Sequence, residues 1–429
     1  MPCRRLIAHL VLVAVVGMLM GGAERAQAEN VTGRYWYVID NITTIDEGAR
    51  FLIWATVPPD WHGQEVEVTT ISPEPVAILE DIESGNRVVE WLWEPEPWER
   101  LPEMAPRHYF FHYEFSLIEK ALPAAGDPDP RSEYDRTSSD YTTHTGPATW
   151  IQTDGPVRDM ALEIVGQEAS PRLQAKLLYD WILTQLTFVP GGEGGRDAVS
   201  TLASRRGDCG QFSNLYNALC RSLGIPARNL SLVWHDGGLH DLNEIMLPGQ
   251  EWLPVDTSLG QMLLPDGGGL DPEEVASIME LRGMPVGDPD VAFGLMPSGR
   301  MILSQGVNVR FDSPTLDKQV VLQRMRPGGA QAHPAGFEAR GFNRDIVHGG
   351  FHVFGDQETD DEAIHSLTHQ RLAGAFFKEG LYDVVEDGCR QSLEKYAGEV
   401  ESWLNVGKVH MHKGEYYKAE AAFKRAIVG

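Results

Sequence analysis

The sequence is short of positive charge, of cysteine and of long apolar runs. Its 36 Lys and Arg stand against 62 Asp and Glu, a formal charge of −26. Affinity for a phosphate backbone rests on cationic groups, so this balance argues against nucleic acid as a partner. Only four cysteines occur in 429 residues, and three of them (Cys209, Cys220 and Cys389) lie beyond the first thirty positions. Three thiols cannot complete a disulfide framework, so at least one stays free. After Met20 no segment is long and apolar enough for a bilayer span. The hydrophobic share, 42%, suffices for packed cores and excludes wholesale disorder. At roughly 100–200 residues per domain, two to four domains are expected.

The start of the chain reads as a targeting segment. Arg4 and Arg5 precede an apolar run from Leu6 to Met20, and Ala26-Gln27-Ala28 follows. That order marks a secretory signal peptide over 1–28, so the chain is expected to be exported, periplasmic or extracellular, with no membrane span after cleavage. In an oxidising compartment a free thiol is either buried or functional.

Residues 29–147 are expected to form a β-sandwich-like domain. Trp36–Ile42, Phe51–Val57, Glu65–Ile71, Val76–Ile82, Val88–Trp93 and Tyr109–Leu117 are rich in β-branched and aromatic residues, with Pro, Gly and Asn between them. Residues 122–147 are rich in Pro, Asp, Ser and Thr and read as a linker or a long excursion. Helices follow. Ser170-Pro171 is a capped helix start, and Leu173, Leu177 and Trp181, with Leu178 and Ile182, form an apolar stripe. Residues 263–360 contain a strand near 300–311 but are mostly Gly and Pro rich, an extension of unspecified fold.

The last segment, 361–429, repeats. Aligning Gly380 with Gly414 sets a period of 34, and Tyr382 falls on Tyr416, Val385 on Ala419 and Cys389 on Phe423. The second copy, with Trp403, Gly407, Tyr416, Ala419, Phe423 and Ala426, resembles the tetratricopeptide (TPR) pattern, which implies an α-helical pair able to hold a protein partner.

Chemistry concentrates in 207–256. Phe212, Leu215, Tyr216, Leu219, Cys220 and Leu223 are spaced as one face of a helix. Asp208 and Gln211 form a capping-box pattern before it, and Gly224 and Pro226 end it. Cys209 therefore sits on the first turn, where orphan N–H groups favour an anion, while Cys220 lies on the buried stripe. His240 opens the strand-like run HDLNEIML, Pro248-Gly249-Gln250 turns the chain, and EWLPVD returns. A three-residue loop pairs 242 with 256 and puts His240 and Asp256 on one face as diagonal neighbours, about 7–8 Å apart at Cα. A four-residue loop would turn Asp256 away. A thiol, an imidazole and a carboxylate are the parts of Cys-His-Asp catalysis.

GDCGQFSNLYNALCRSLGIPAR, followed by HDLNEIMLPGQEWLPVD, resembles the transglutaminase-like superfamily over about 155–262. The resemblance implies a papain-like α+β core at 148–262, within an α+β multidomain chain that has a β-sandwich before it and TPR repeats after it. It implies Cys209 as nucleophile, His240 as base and Asp256 as orienter. Leu242 and Thr257 depart from the family pattern, which often has Trp and Pro there. The implied function is a cysteine acyl-transfer enzyme acting on peptide or glutamine-type amides through a thioester. Water as acceptor gives a protease or amidase, the favoured outcome, and an amine gives a cross-linker. The alternative is a non-catalytic transglutaminase-like/TPR binding module.

Other signals are weaker. Trp181 is a candidate second oxyanion donor whose place on a helical stripe suits a core role. No cofactor is implied. His348 and His352 have helical ligand spacing, but Gly349 and Gly350 lie between them, and no metal site is expected. His108 and His112 share a strand face. Asp127, Asp129 and the acidic run 356–362 lack the ligand order of a calcium loop.

Overall fold

The structure, a computed structural model, describes residues 30–40, 44–82, 84–95, 109–120, 122, 132–235, 238–265, 272–323, 335–343, 346–353, 382, 385–386, 389 and 400–428. Six strands come first: β1 (Asn30–Asp40), β2 (Thr44–Val57), β3 (Gln64–Ser72), β4 (Ala77–Glu80), β5 (Arg87–Trp93) and β6 (Tyr109–Glu119). A mixed region follows, with α1 (Ser139–Thr145), α2 (Pro156–Val165), α3 (Pro171–Gln185), β7 (Thr187–Phe188), α4 (Ala198–Ser204), β8 (Arg206–Gly207) and α5 (Cys209–Ser222). Then come β9 (Ala227–Trp234), β10 (Leu239–Met246), β11 (Trp252–Val255), α6 (Thr257–Met262), α7 (Pro272–Leu281) and a 3-10 turn at Pro289–Ala292. Five further strands are β12 (Arg300–Gln305), β13 (Asn308–Ser313), β14 (Lys318–Gln323), β15 (Ala335–Asn343) and β16 (Ile346–Val353), and the helices α8 (Val400–His412) and α9 (Tyr416–Val428) end the chain.

The early strands build two antiparallel four-stranded sheets, ordered β16-β1-β6-β3 and β15-β2-β5-β4. Alternate residues face inward, as strand periodicity requires: Phe111, Tyr113, Phe115 and Leu117 from β6 meet Phe51, Ile53 and Ala55 from β2 and Trp91 and Trp93 from β5 in one buried cluster. Strands β15 and β16 come from the segment read as an extension. They pair with β2 and β1, so one edge strand of each sheet is supplied from more than two hundred positions away.

The central unit is a sheet ordered β11-β10-β9-β12 with helices packed on it. Every residue of α5 is buried, so this helix is the spine of the unit. Around it lie Leu178, Tyr179, Ile182, Leu230, Leu242, Ile245 and Leu259, all in one core cluster. A buried aliphatic or aromatic side chain contributes about 1.5–3 kcal/mol relative to exposure, and Phe212, Leu215, Tyr216, Leu219 and Cys220 line one side of α5 as the 3–4 spacing requires. Helix α3 departs from the expected stripe. It buries Ala175, Leu178, Tyr179, Ile182 and Leu183, whereas Leu173 and Leu177 are 51% and 39% exposed. Of the two readings of 122–147, its later part fits an excursion packed on the core: Ser138 caps α1, His144 is buried, and Tyr134 donates to the Met246 carbonyl at 3.0 Å.

The units share side chains. Val233, Met301 and Leu303, from β9 and β12, lie in the same cluster as the two stacked sheets. Arg300 pairs with Glu119 at 2.5 Å, and Gln64 accepts from Ile302 N and donates to Ile302 O.

Helices α8 and α9 form a hairpin in which Gly407 lies against the Phe423 ring, so close that a Cβ would clash at 2.4 Å. Of the first repeat copy, Tyr382, Val385, Glu386 and Cys389 are described, with Val385 and Cys389 buried. The signal segment, His108, Asp127, Asp129, the 356–362 run and the rest of that copy lie outside the described residues.

Candidate active site

The start of α5 is assembled by short-range chemistry. Asp208 Oδ1 accepts from Gln211 N, and Gln211 Oε1 accepts from Asp208 N, both at 3.1 Å, which closes the expected capping box. The parallel pair β7–β8 delivers the chain to this point. Gly207 is required there, because a Cβ would lie 2.6 Å from that of Gln211. Cys209 is then the first helical residue, 3% exposed.

The hairpin has the register its turn implies. Asn243 pairs with Val255 and Met246 with Trp252, leaving 247–251 between the strands, in the same register as a three-residue loop at Pro248, Gly249 and Gln250. Gly249 has φ +67°, and Gln250 N donates to Leu247 O at 3.1 Å. Asp256 therefore falls on the face of His240, and His240 Nε2 donates to Asp256 Oδ2 at 2.7 Å. The carboxylate has a second task. Its Oδ1 caps α6, accepting from Ser258 N at 3.1 Å, Leu259 N at 2.9 Å and Ser258 Oγ at 3.0 Å. Asp256 N donates to Ala292 O at 2.9 Å, so the 3-10 turn anchors the same residue from behind.

Cys209 hydrogen-bonds the His240 side chain. With Nε2 committed to Asp256, the remaining ring nitrogen is Nδ1. Burial works against a charged imidazole, but the Asp256 carboxylate and the Cys209 sulfur outweigh it and push His240 up to about 10. At neutral pH the imidazolium is thus the favoured form. The structure brings Cys209, His240 and Asp256 together and leaves the other thiols apart. Cys220 lies on the buried face of α5, where burial pushes its thiol up to about 12.

Two neighbours escape a reading by motif. Trp234 lies tilted beside His240 with ring centroids 5.2 Å apart, and the Arg282 guanidinium lies 4.0 Å over the Trp234 ring. The sequence places Trp234 six residues before His240 on the adjoining strand, a hairpin relation that could have flagged it. Arg282 is the residue just past the end of α7 and carries no such signal. Trp181 is half-buried under the Arg205 guanidinium at 4.2 Å. Leu242 is wholly buried in the core cluster.

Among the described residues no group of three or more His, Cys, Asp and Glu gathers as a metal site. His348 and His352 lie on strand β16, where four residues span roughly 13 Å, too far for one ion. Among the described residues no helix is long and apolar enough to cross a membrane.

Parts of the chain are similar to known proteins. An uncharacterized protein of Haemophilus influenzae is 26% identical over 137 residues, 25% of this chain and 37% of the relative, so the chain spans little more than a third of that relative's length. Among solved structures, a candidate cysteine protease from Cytophaga hutchinsonii aligns with a TM-score of 0.42 and 14% identity, over 77% of this chain and 93% of the other. A candidate protease from Parabacteroides distasonis aligns with a TM-score of 0.21 and 12% identity, over 52% and 46%. The model of the transglutaminase-like superfamily matches residues 158–257, which include all three residues of the cluster. The mixed α/β unit built around α5 and its hairpin is a transglutaminase-like core.

Proposed function

We propose that this chain is an exported cysteine acyl-transfer enzyme that acts on peptide or glutamine-type amides. The observation that carries the reading is the arrangement at His240: Asp256 holds Nε2 at 2.7 Å, and the Cys209 thiol bonds the same ring from a helix start. In this reading Cys209 is the nucleophile, His240 the acid and base, and Asp256 the orienter.

The thiolate attacks the amide carbonyl carbon, and the Cys209 N–H, at the first turn of α5, faces the developing oxyanion. The imidazolium gives its Nδ1 proton to the departing nitrogen as the C–N bond breaks, leaving a thioester and a neutral His240. Water then attacks, His240 takes its proton, and the C–S bond breaks. A carboxylic acid leaves, and the thiolate–imidazolium pair is restored. Hydrolysis needs no second amine site, which favours a protease or amidase over a cross-linker.

The accessory parts join the proposal. The two stacked sheets are a sandwich-type domain fused to the core, the α8–α9 hairpin is the end of a TPR pair that docks a protein partner, and residues 1–28 direct export. Incubation with casein tests the activity. Wild type should release peptides or ammonia, and Cys209→Ala should release neither. Incorporation of monodansylcadaverine into casein in place of hydrolysis would reassign the acceptor to an amine.

A further inference from the structure

We propose that Arg196 is a positioning residue for Cys209, which orients and neutralises the Asp208 carboxylate that caps the nucleophile's helix. This rests on the reading of Cys209 as the reacting thiol.

The two carboxylate oxygens of Asp208 have separate partners. Oδ1 caps Gln211 N, while Oδ2 pairs with Arg196 Nη1. Both side chains are buried, at 1% and 6% exposure. A buried ion pair is weak evidence for stability, because the desolvation of two charges offsets their attraction. What this pair does supply is a fixed carboxylate rotamer next to the thiol.

The guanidinium also reaches the loop before it. Arg196 Nη2 donates to Gly191 O at 3.0 Å, and Gln211 Nε2 donates to Glu193 O and Gly195 O, each at 2.7 Å. Asn214 Nδ2 returns a bond to Arg196 O at 3.0 Å. The loop backbone lies directly on this network. A Cβ on Gly192, whose φ is +71°, would stand 2.4 Å from Gln211 Oε1, 2.7 Å from Arg196 Nη1 and 2.8 Å from Asp208 Oδ2. The loop and the first turn of α5 are thus one bonded unit with Arg196 at its centre.

The charge argument is independent of the geometry. An aspartate is among the best helix caps, but its negative charge sits one residue from a sulfur that must become an anion. Like charges at this range oppose ionisation. The Arg196 guanidinium cancels that charge and keeps the cap. The other charged groups facing this region have partners of their own. Glu193 pairs with Arg206 at 3.0 Å, Asp197 accepts from Ser200, Asp241 accepts from Ser231, Arg205 lies over Trp181, and Asp256 holds His240. They are the same in every variant below.

The test is the pH dependence of Cys209 alkylation by iodoacetamide in the full chain, located by peptide mass spectrometry. Arg196→Met should move the acid limb of the rate profile up by roughly one pH unit, about a tenfold slower reaction on that limb. Asp208→Asn, which keeps a capping side chain, should move it down by a similar amount. The double variant should return towards wild type, and Arg196→Lys should hold the limb while slowing the reaction a few fold. If Arg196→Met does not fold, Arg196→Gln, which keeps a donor for Asp208 and drops the charge, takes its place and should move the limb up in the same way. A limb that stays put in folded variants overturns the proposal, since a purely structural pair would change stability and leave the profile alone. A wild-type Cys209 that reacts no faster than Cys220 overturns the underlying reading first, and is seen before any variant is made.

Discussion

Asp256→Asn exchanges a side chain with two acceptor oxygens for one with a single oxygen, at a position where both are in use. Oδ1 caps two buried backbone N–H groups, and Oδ2 holds His240. The asparagine oxygen can serve only one of them. Turning it to His240 leaves an NH2 against two buried donors, at about 1–3 kcal/mol each. Leaving it on the cap forfeits one bond to a charged imidazole, about 1.5–3 kcal/mol. The cap wins, so α6 stays formed and the amide NH2 faces Nε2. A donor there forces Nε2 to give up its proton, which removes the imidazolium that pairs with the thiolate. Burial is the largest single effect on His240 and Asp256 the main opposition to it, so without the carboxylate the ring is mainly neutral at pH 7 and Cys209 alkylation there should fall roughly tenfold or more. Thermal stability should fall only by the lost bond, about 1.5–3 kcal/mol. The assay is timed iodoacetamide labelling beside a melting curve. A folded Asp256→Asn that labels at the wild-type rate would refute the reasoning.

Brief alkylation of wild type near neutral pH should label Cys209 ahead of Cys389 and Cys220, and preferential labelling of Cys389 would remove the nucleophile assignment. The His240 shift makes a stability prediction: a pKa raised from 6.5 to about 10 contributes stability that is full below 6.5 and is lost as the pH rises through about 10. Wild type should therefore lose more of its melting temperature between pH 7 and 10 than Asp256→Asn does, and equal slopes would count against the ion pair. Gly260→Ala puts a Cβ 1.8 Å from the Tyr179 hydroxyl, which donates to Pro289 O at 2.6 Å, so chemical denaturation should show a loss of about 1–3 kcal/mol. Deleting 364–429 should leave the Cys209 labelling rate within a few fold, and its disappearance from a folded core would tie the repeats to the site.

The parts of this structure legible in the sequence are those governed by near neighbours. The capping box, the 3–4 spacing of α5 and the parity of a three-residue turn each involve residues a few positions apart, and together they place Cys209, His240 and Asp256. The parts that were not legible depend on distant partners. Strands β15 and β16 are Gly-rich and unremarkable in pattern, and what makes them strands is an open edge on β2 and β1. Helix α1 is built of Ser, Asp, Tyr, Thr and His, a loop-like composition, and its burial of His144 against Trp252, with ring centroids 5.1 Å apart, comes from the tertiary fold. On α3, apolar residues cover more than one face, so the pattern shows a helix but not which side meets the core. Arg196 was hidden for a similar reason. Its partner is twelve residues away, beyond helix α4 and strand β8, a spacing with no periodic meaning.

The central claim, that Cys209 carries an acyl group during turnover, is tested most directly with p-nitrophenyl acetate, an ester that needs no matched substrate. The account predicts a burst of nitrophenolate close to one equivalent per chain, an acetyl thioester located on Cys209 by mass spectrometry, and no burst from Cys209→Ala. No burst from folded wild type, or a burst of equal size from Cys209→Ala, would contradict it.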